Sequence, residues 1–217
     1  MNRTITVKGT GKASVSPDQT VVSLTLKSED KDYDKAMALA DAALDRLQKA
    51  LAGTGFEKND IKTSAFNVTT AYENQPDQRG RYKAVFTGYA CTQHCKLEFP
   101  MDTALLSRAL TAISQSVSEP MLAIQFTVGD KDAVHEEILR NASENARKKA
   151  EILTAAAGVN LGELLSIDYS WDEIVMTSPT DYRLEKACMD MNEEMDMDIT
   201  PEDITVSDNV TFVWAIH

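Results

Sequence analysis

The sequence predicts an α+β fold: mainly antiparallel sheets packed by two long helices and one short helix, arranged as two intertwined subdomains. Three observations carry this. Segments of strict apolar–polar alternation recur along the chain, as in Val22, Leu24 and Leu26 set between Ser23, Thr25 and Lys27. Two stretches instead repeat apolar residues in steps of three and four, one ending near Leu51 and one spanning Lys131 to Ala157. The elements also follow one another as ββα, ββ, αβ and αββ, which sets two long helices against a mainly antiparallel sheet.

Taken in order, Ile5 and Val7 open a first strand, and Gly9-Thr10-Gly11 and Ser16-Pro17-Asp18 lead to a second strand expected to pair with it. Asp30 or Asp32 caps the first helix, whose stripe is Tyr33, Met37, Ala40, Leu44, Leu47 and Leu51, with Gly53 and Gly55 closing it. A strand from Ile61 to Tyr72 follows, with Phe66, Val68 and Tyr72 on one face, then a polar turn from Glu73 to Arg81. The next strand runs from Tyr82 to about Phe99 and bends at Gly88. Pro100 and Asp102 open the short helix with Leu106, Leu110 and Ile113, and Leu122, Ile124, Phe126 and Val128 alternate after it. The second long helix presents Val134, Ile138, Ala142, Ala146, Ala150, Leu153 and Ala157 and stops at Gly158; its alanines imply a close backbone approach to a sheet or a sister helix. Leu165, Ile167, Tyr169 and Trp171 form a further strand, and Ile204, Val206, Val210, Phe212, Trp214 and Ile216 share a face of the last. At 217 residues the chain fits one domain, 1–217, with a possible inserted subdomain 76–128 within a body formed by 1–75 and 129–217.

The net charge of −12 disfavours nucleic acid and anionic membrane surfaces as partners. No run reaches the ~20 apolar residues of a membrane-spanning helix, so no membrane-spanning segment is expected. The N-terminus passes directly into a strand pattern, and three cysteines cannot all pair with one another. These features point to the cytoplasm, with export after removal of a signal peptide as the alternative.

The residues that invite a chemical reading do not meet its requirements. Gly9-Thr10-Gly11-Lys12 has Thr6 where a phosphate loop needs its first glycine and Ala13 where it needs serine or threonine; Ser14 replaces the third glycine of a dinucleotide fingerprint. A glycine-bent strand connection is expected instead. In Cys91-Thr92-Gln93-His94-Cys95, an extended backbone puts the two cysteines about 13 Å apart on one face and His94 on the other, too far for a shared metal or a disulfide. Of the three histidines, His94, His135 and His217, His135 lies beside the stripe of the second long helix, a boundary position. No serine-nucleophile elbow, His-Glu-x-x-His or Cys-x-x-Cys occurs, and no pair of acids stands out.

The least ordinary stretch is the Met/acidic segment 188–203. It holds seven acids and no base, and methionines at 189, 191, 195 and 197 alternate with acids and Asn192. Asp190, Asn192 and Glu194 fit the first ligand positions of an EF-hand, but Met195 stands in place of its turn glycine and Pro201 in place of its last glutamate. The Met-x-Met steps suit soft copper(I). A solvated acidic insertion, or an edge strand burying its methionines, is the simpler reading.

Several ordered motifs resemble the SIMPL-type domain family, named for a mammalian protein associated with a Pelle-like kinase and widespread in bacteria. They are Ile5-Thr6-Val7-Lys8-Gly9-Thr10-Gly11, Val15-Ser16-Pro17-Asp18, Gly55 with Asn59-Asp60-Ile61-Lys62-Thr63, Tyr82 with Gly88-Tyr89, the helix Ala142 to Gly158, and Ile199-Thr200-Pro201 with Ile204-Thr205-Val206. Glu202-Asp203 departs from the family's glycine after the last proline. The resemblance implies a two-part α+β fold, self-association and a link to envelope or oxidative-stress physiology, and it carries no catalytic residues. The expected function is therefore a non-enzymatic binding or scaffold protein forming a homo-oligomer, with a possible further protein partner and no catalytic, metal or cofactor residues assigned. The alternatives are a metal or small-ligand binder using segment 188–203, and an unrecognised hydrolase.

Overall fold

The computed structural model describes residues 3–76, 81–117, 121–170, 174–180, 182–184 and 199–217. They form strands β1 (Thr4–Val15) and β2 (Gln19–Asp30), helix α1 (Tyr33–Ala52), strands β3 (Ile61–Pro76) and β4 (Tyr82–Pro100), helix α2 (Thr103–Ser116) and strand β5 (Met121–Thr127). Helix α3 (Lys131–Ala157) and strands β6 (Leu161–Asp168), β7 (Tyr182–Leu184) and β8 (Ile204–Ile216) complete the chain. The α+β class stands as expected; β7, only three residues long, is too short to leave a periodic signal.

Two compact units result, one of Met1–Asp18, Thr127–Pro179 and Pro201–His217, the other of Gln19–Phe126 and Thr180–Thr200. The second unit thus extends well beyond the segment 76–128 singled out in the sequence. The boundary falls early because β1 and β2 do not pair, contrary to expectation. Instead β1 lies antiparallel to β8 along its whole length in a sheet of order β1-β8-β6, while β2 joins a sheet of order β3-β4-β2-β5-β7. Ser16-Pro17-Asp18 joins the end of β1 to the start of β2. Pro17 has no N–H for a ladder, and the Asp18 carboxylate accepts from Gly129 N–H at 2.7 Å while its own N–H donates to the Thr127 carbonyl.

In the first unit α3 packs on β1 and β8. Its buried row is Val134, Ile138, Ala142, Ala146, Ala150 and Thr154, one ridge of i+4 steps. Leu153 and Ala157, expected on that face, are exposed, because the ridge continues to Thr154 rather than turning back by three. The approach is close enough that a Cβ at Gly9 or Gly11 would run into the carbonyl oxygens of Ala142 and Ile138. The glycine pair is therefore no bend, as the sequence reading had it: it lies inside an unbroken strand and admits a helix.

In the second unit α1 and α2 pack on one face of the five-stranded sheet. Val22, Leu24, Leu47, Leu51, Leu97, Leu110, Ile113 and Ile124 form its core, each such side chain contributing about 1.5–3 kcal/mol over the exposed state. All three helices begin at an aspartate, Asp32, Asp102 and Asp130, whose carboxylate accepts first-turn N–H groups. Helix α3 ends on Gly158 at φ 70°, as expected, whereas α1 ends on Gly53 in an ordinary helical conformation and only Gly55 (φ 107°) takes the left-handed one. Tyr33, expected in the stripe of α1, is exposed, and the buried row is Ala36, Ala40, Ala43, Leu47 and Leu51.

Candidate functional site

Gly9, Gly11 and Lys12 make no anion-binding loop, since all lie inside β1, where the Lys12 carbonyl accepts from Asn141 Nδ2 at 2.9 Å. Cys91 and Cys95 lie on the helix-facing side of β4, both buried, with Gln93 between them donating to Thr63 Oγ1 at 3.2 Å. His94 points to the other face, where Nδ1 lies 3.0 Å from Thr25 Oγ1. The cysteine–histidine run is thus divided between the two faces of one strand, as its spacing requires.

Burial pushes both thiols above the ordinary value of 9.0; Asp41 adds to this at Cys91, and a hydrogen bond from Thr63 works against it at Cys95. Thiol attack needs the thiolate. Native protein near pH 8 should therefore be alkylated by iodoacetamide at these two positions roughly a hundredfold more slowly than urea-unfolded chain. Linkage gives the sign for stability: unfolded thiols ionise first, so this contribution is complete below about 9 and is lost as pH climbs through the raised native values. Urea midpoints should fall more steeply between pH about 8.5 and about 10 in the wild type than in Cys91→Ala.

A polar network that the sequence did not disclose lies in the first unit. His135 Nε2, on α3, is 2.8 Å from the hydroxyl of Tyr169, which donates to Asp208 Oδ2 at 2.9 Å. Alternation puts Asp208 on the same side of β8 as Val206 and Val210, so an acid interrupts an otherwise buried apolar stripe. That interruption was the available signal. Beside it, Thr10 donates to Asn209 Oδ1 at 2.8 Å and receives a cap from Asn145 Oδ1 on its N–H at 3.1 Å. Each of these groups is half-buried or exposed and occupied by a neighbour, which is the arrangement of a tie between helix and sheet. Tyr169→Phe removes the shared hydroxyl and should lower unfolding free energy by about 1–2 kcal/mol, read from urea midpoints; an unchanged midpoint would show the tie to be idle.

The Met/acidic stretch from 188 to 198, with the calcium and copper readings placed on it, lies outside the described residues, as does Trp171. From its end, Ile199 packs at the margin of the second unit's core and Asp203 accepts from Ser16 Oγ at 2.7 Å. Among the described residues no group of three or more histidine, cysteine or acidic side chains is placed to hold a metal ion, and no helix is long and apolar enough to cross a membrane.

The outstanding surface feature is the outer half of the β3–β4 hairpin. Irregularities in the β3 register at Thr63/Ala65 and Ala71/Tyr72, with Gly88 at φ 153° against the Asp30 carbonyl, redirect the ribbon. From Tyr33 at the start of α1, rings run edge to face outward through Tyr89 and Phe86 to Tyr72, with centroids 5.5, 5.4 and 5.8 Å apart. Yet Tyr72 is 60% exposed, Phe86 45% and Tyr82 76%. β3 is also the outermost strand of its sheet, sixteen residues long with only Lys62 and Glu73 charged.

Comparison with known proteins adds the lineage. The family model of SIMPL, described as a protein of unknown function (DUF541), matches residues 5–214. The 26 kDa periplasmic immunogenic proteins of Brucella melitensis and Brucella abortus are each 25% identical over 170 residues, 75% of this chain and 65% of theirs. The uncharacterized protein YggE of Edwardsiella ictaluri is 22% identical over 165 residues, 76% of this chain and 67% of its own. This chain therefore spans just under two thirds of the Brucella proteins it matches. With the match running from the first strand to the last, the chain belongs to the SIMPL family.

Proposed function

We propose that this SIMPL-family chain is a non-enzymatic binding or scaffold protein that assembles with copies of itself through the β3–β4 arm. The observation that carries the reading is the exposed aromatic row lying beside a long, nearly uncharged edge strand. Such an edge presents unpaired backbone N–H and C=O groups, which native proteins usually blunt with charge, proline or brevity. A second copy suits it, because two antiparallel β3 strands related by a two-fold axis are self-complementary. Charge agrees as well: the described outer arm, residues 65–76 and 81–88, carries only Glu73, Arg81 and Lys83 as charged groups, so the contact avoids most of the acids that give the chain its net −12. The features resembling catalytic machinery each have a structural occupation instead, the glycines in helix packing, the cysteines in a core, and His135 in a tie.

An exported, envelope role is part of the proposal, supported by the periplasmic names of the Brucella relatives. Those relatives lend no support to the cytoplasmic expectation. Burial by itself shields Cys91 and Cys95 from oxidants, so their free thiols do not require a reducing compartment. Light scattering on a size-exclusion column tests the assembly: a mass above one chain at micromolar concentration is expected, and a clean monomer refutes it.

A further inference from the structure

Among the described residues α1 and α2 cover one face of the second unit's sheet. On the other face Ser23, Thr25, Ser64, His94, Lys96 and Met121 line an open groove of about 490 Å³, within the size range of small-molecule clefts. Its floor is sheet backbone, and its two sides differ in chemistry.

Toward β4 and β3 the groove is cationic. The lining includes Lys96 and His94 and no acid. Lys62 stands directly opposite Lys96 in the β3–β4 register, and like charges so placed repel. Lys96 has an ion-pair partner in Glu98, but among the described residues no acid is ion-paired with Lys62. With the Thr25 hydroxyl at His94 Nδ1, Nε2 is the ring nitrogen left for a ligand. In a chain with 34 acids and 22 bases, this is a local reversal of sign. Toward β5 the groove is apolar. Leu122 and Ile124 face the core, so alternation puts Met121 and Ala123 on the open side, where Met121 is exposed despite its size. The strand order puts β5 two spacings from β4, or about 10 Å across.

We infer that this groove binds a small organic carboxylate. The carboxylate sits between Lys62, Lys96 and His94, where it relieves the lysine–lysine repulsion. An apolar body up to about 10 Å long crosses β2 and ends on Met121 and Ala123. The inference does not depend on self-association, since these residues lie on the sheet face rather than on the outer arm.

Calorimetry on the full chain tests it with hexanoate, hexylamine, hexan-1-ol and inorganic phosphate as probes. Hexanoate is expected to bind, and the other three to bind at least tenfold more weakly, because each lacks either the charge or the chain. The double variant Lys62→Gln/Lys96→Gln should lose about tenfold or more in hexanoate affinity, the loss of a charge-assisted contact. His94→Gln should lose less, and Met121→Ser should weaken hexanoate while leaving the weak phosphate binding unchanged. No hexanoate binding up to roughly 10 mM, or equal binding to the double lysine variant, overturns the site. Phosphate binding as tightly as hexanoate overturns the apolar half and with it the assignment to organic acids.

Discussion

Replacing Gly11 by alanine is expected to cost at least about 3 kcal/mol of stability and to unfold the unit built on β1, α3 and β8 well before the rest of the chain. The usual effect has the opposite sign, because glycine inside a strand is worse than alanine by about 0.5–1 kcal/mol. Here Gly9, Gly11 and Ala13 lie on the helix-facing side of β1, and the atoms a new Cβ would meet are backbone atoms of Ile138 and Ala142. A side chain could rotate away; a helix carbonyl moves only if the whole helix does. Moving α3 would separate Ala142, Ala146 and Ala150 from Val7, Phe212 and Trp214, the contacts of that unit's core. Urea unfolding followed by tryptophan fluorescence reads the effect, since Trp214 is buried in this unit. Gly55→Ala is the comparison: its φ of 107° is strained for alanine, but no atom lies in the way, so a cost of only about 1–2 kcal/mol is expected. A Gly11→Ala protein as stable as the wild type would mean that the helix and strand are not in close packing.

The elements themselves were legible in the sequence because each is written in a local pattern. Val22, Leu24 and Leu26 alternate, Val134 to Ala150 recurs every four residues, and an aspartate stands before each helix. Strand pairing was not legible. Nothing between Ile5 and Leu26 says that β1 must wait some 190 residues for β8, since the period-2 signal of a strand is the same whichever neighbour it has. The glycine pair was visible but misread, because closeness to a helix and a bend both call for glycine, and only the partner distinguishes them. Of the polar groups, the division of Cys91, Cys95 and His94 between two faces followed from strand geometry alone. Asp208 could have been noticed as the acid within a buried stripe, but its partners His135 and Tyr169 come from elements 73 and 39 residues away, a distance no local pattern spans. The aromatic arm was the hardest to see. Phe66, Val68 and Tyr72 read as one face of an ordinary strand, and only the structure shows that Phe66 and Tyr72 are left exposed, Tyr72 against Phe86.

Those exposed rings lead to the second large effect. Tyr72→Ser together with Phe86→Ser should weaken self-association about a thousandfold, converting assembled protein to monomer at micromolar concentration. Aromatic side chains at the centre of an interface cost about 2 kcal/mol or more when truncated, roughly thirtyfold each, and these two rings touch one another at the outer end of the row. The variant should keep its fold, because both side chains are exposed and neither belongs to the core between α1, α2 and the sheet. Its thermal transition, measured where the wild type is dissociated by dilution, should therefore change little, while its mass by light scattering falls to that of one chain. A lysine introduced at Thr69, on the edge strand and away from the rings, should act in the same direction if the β3 strands pair, since a charge on an edge blocks strand addition. The two variants separate the sources of affinity. Dissociation by the serines alone would assign the contact to the aromatic row, dissociation by both would assign it to row and edge together, and an assembly indifferent to both would place the interface elsewhere on the molecule and refute the arm as its seat.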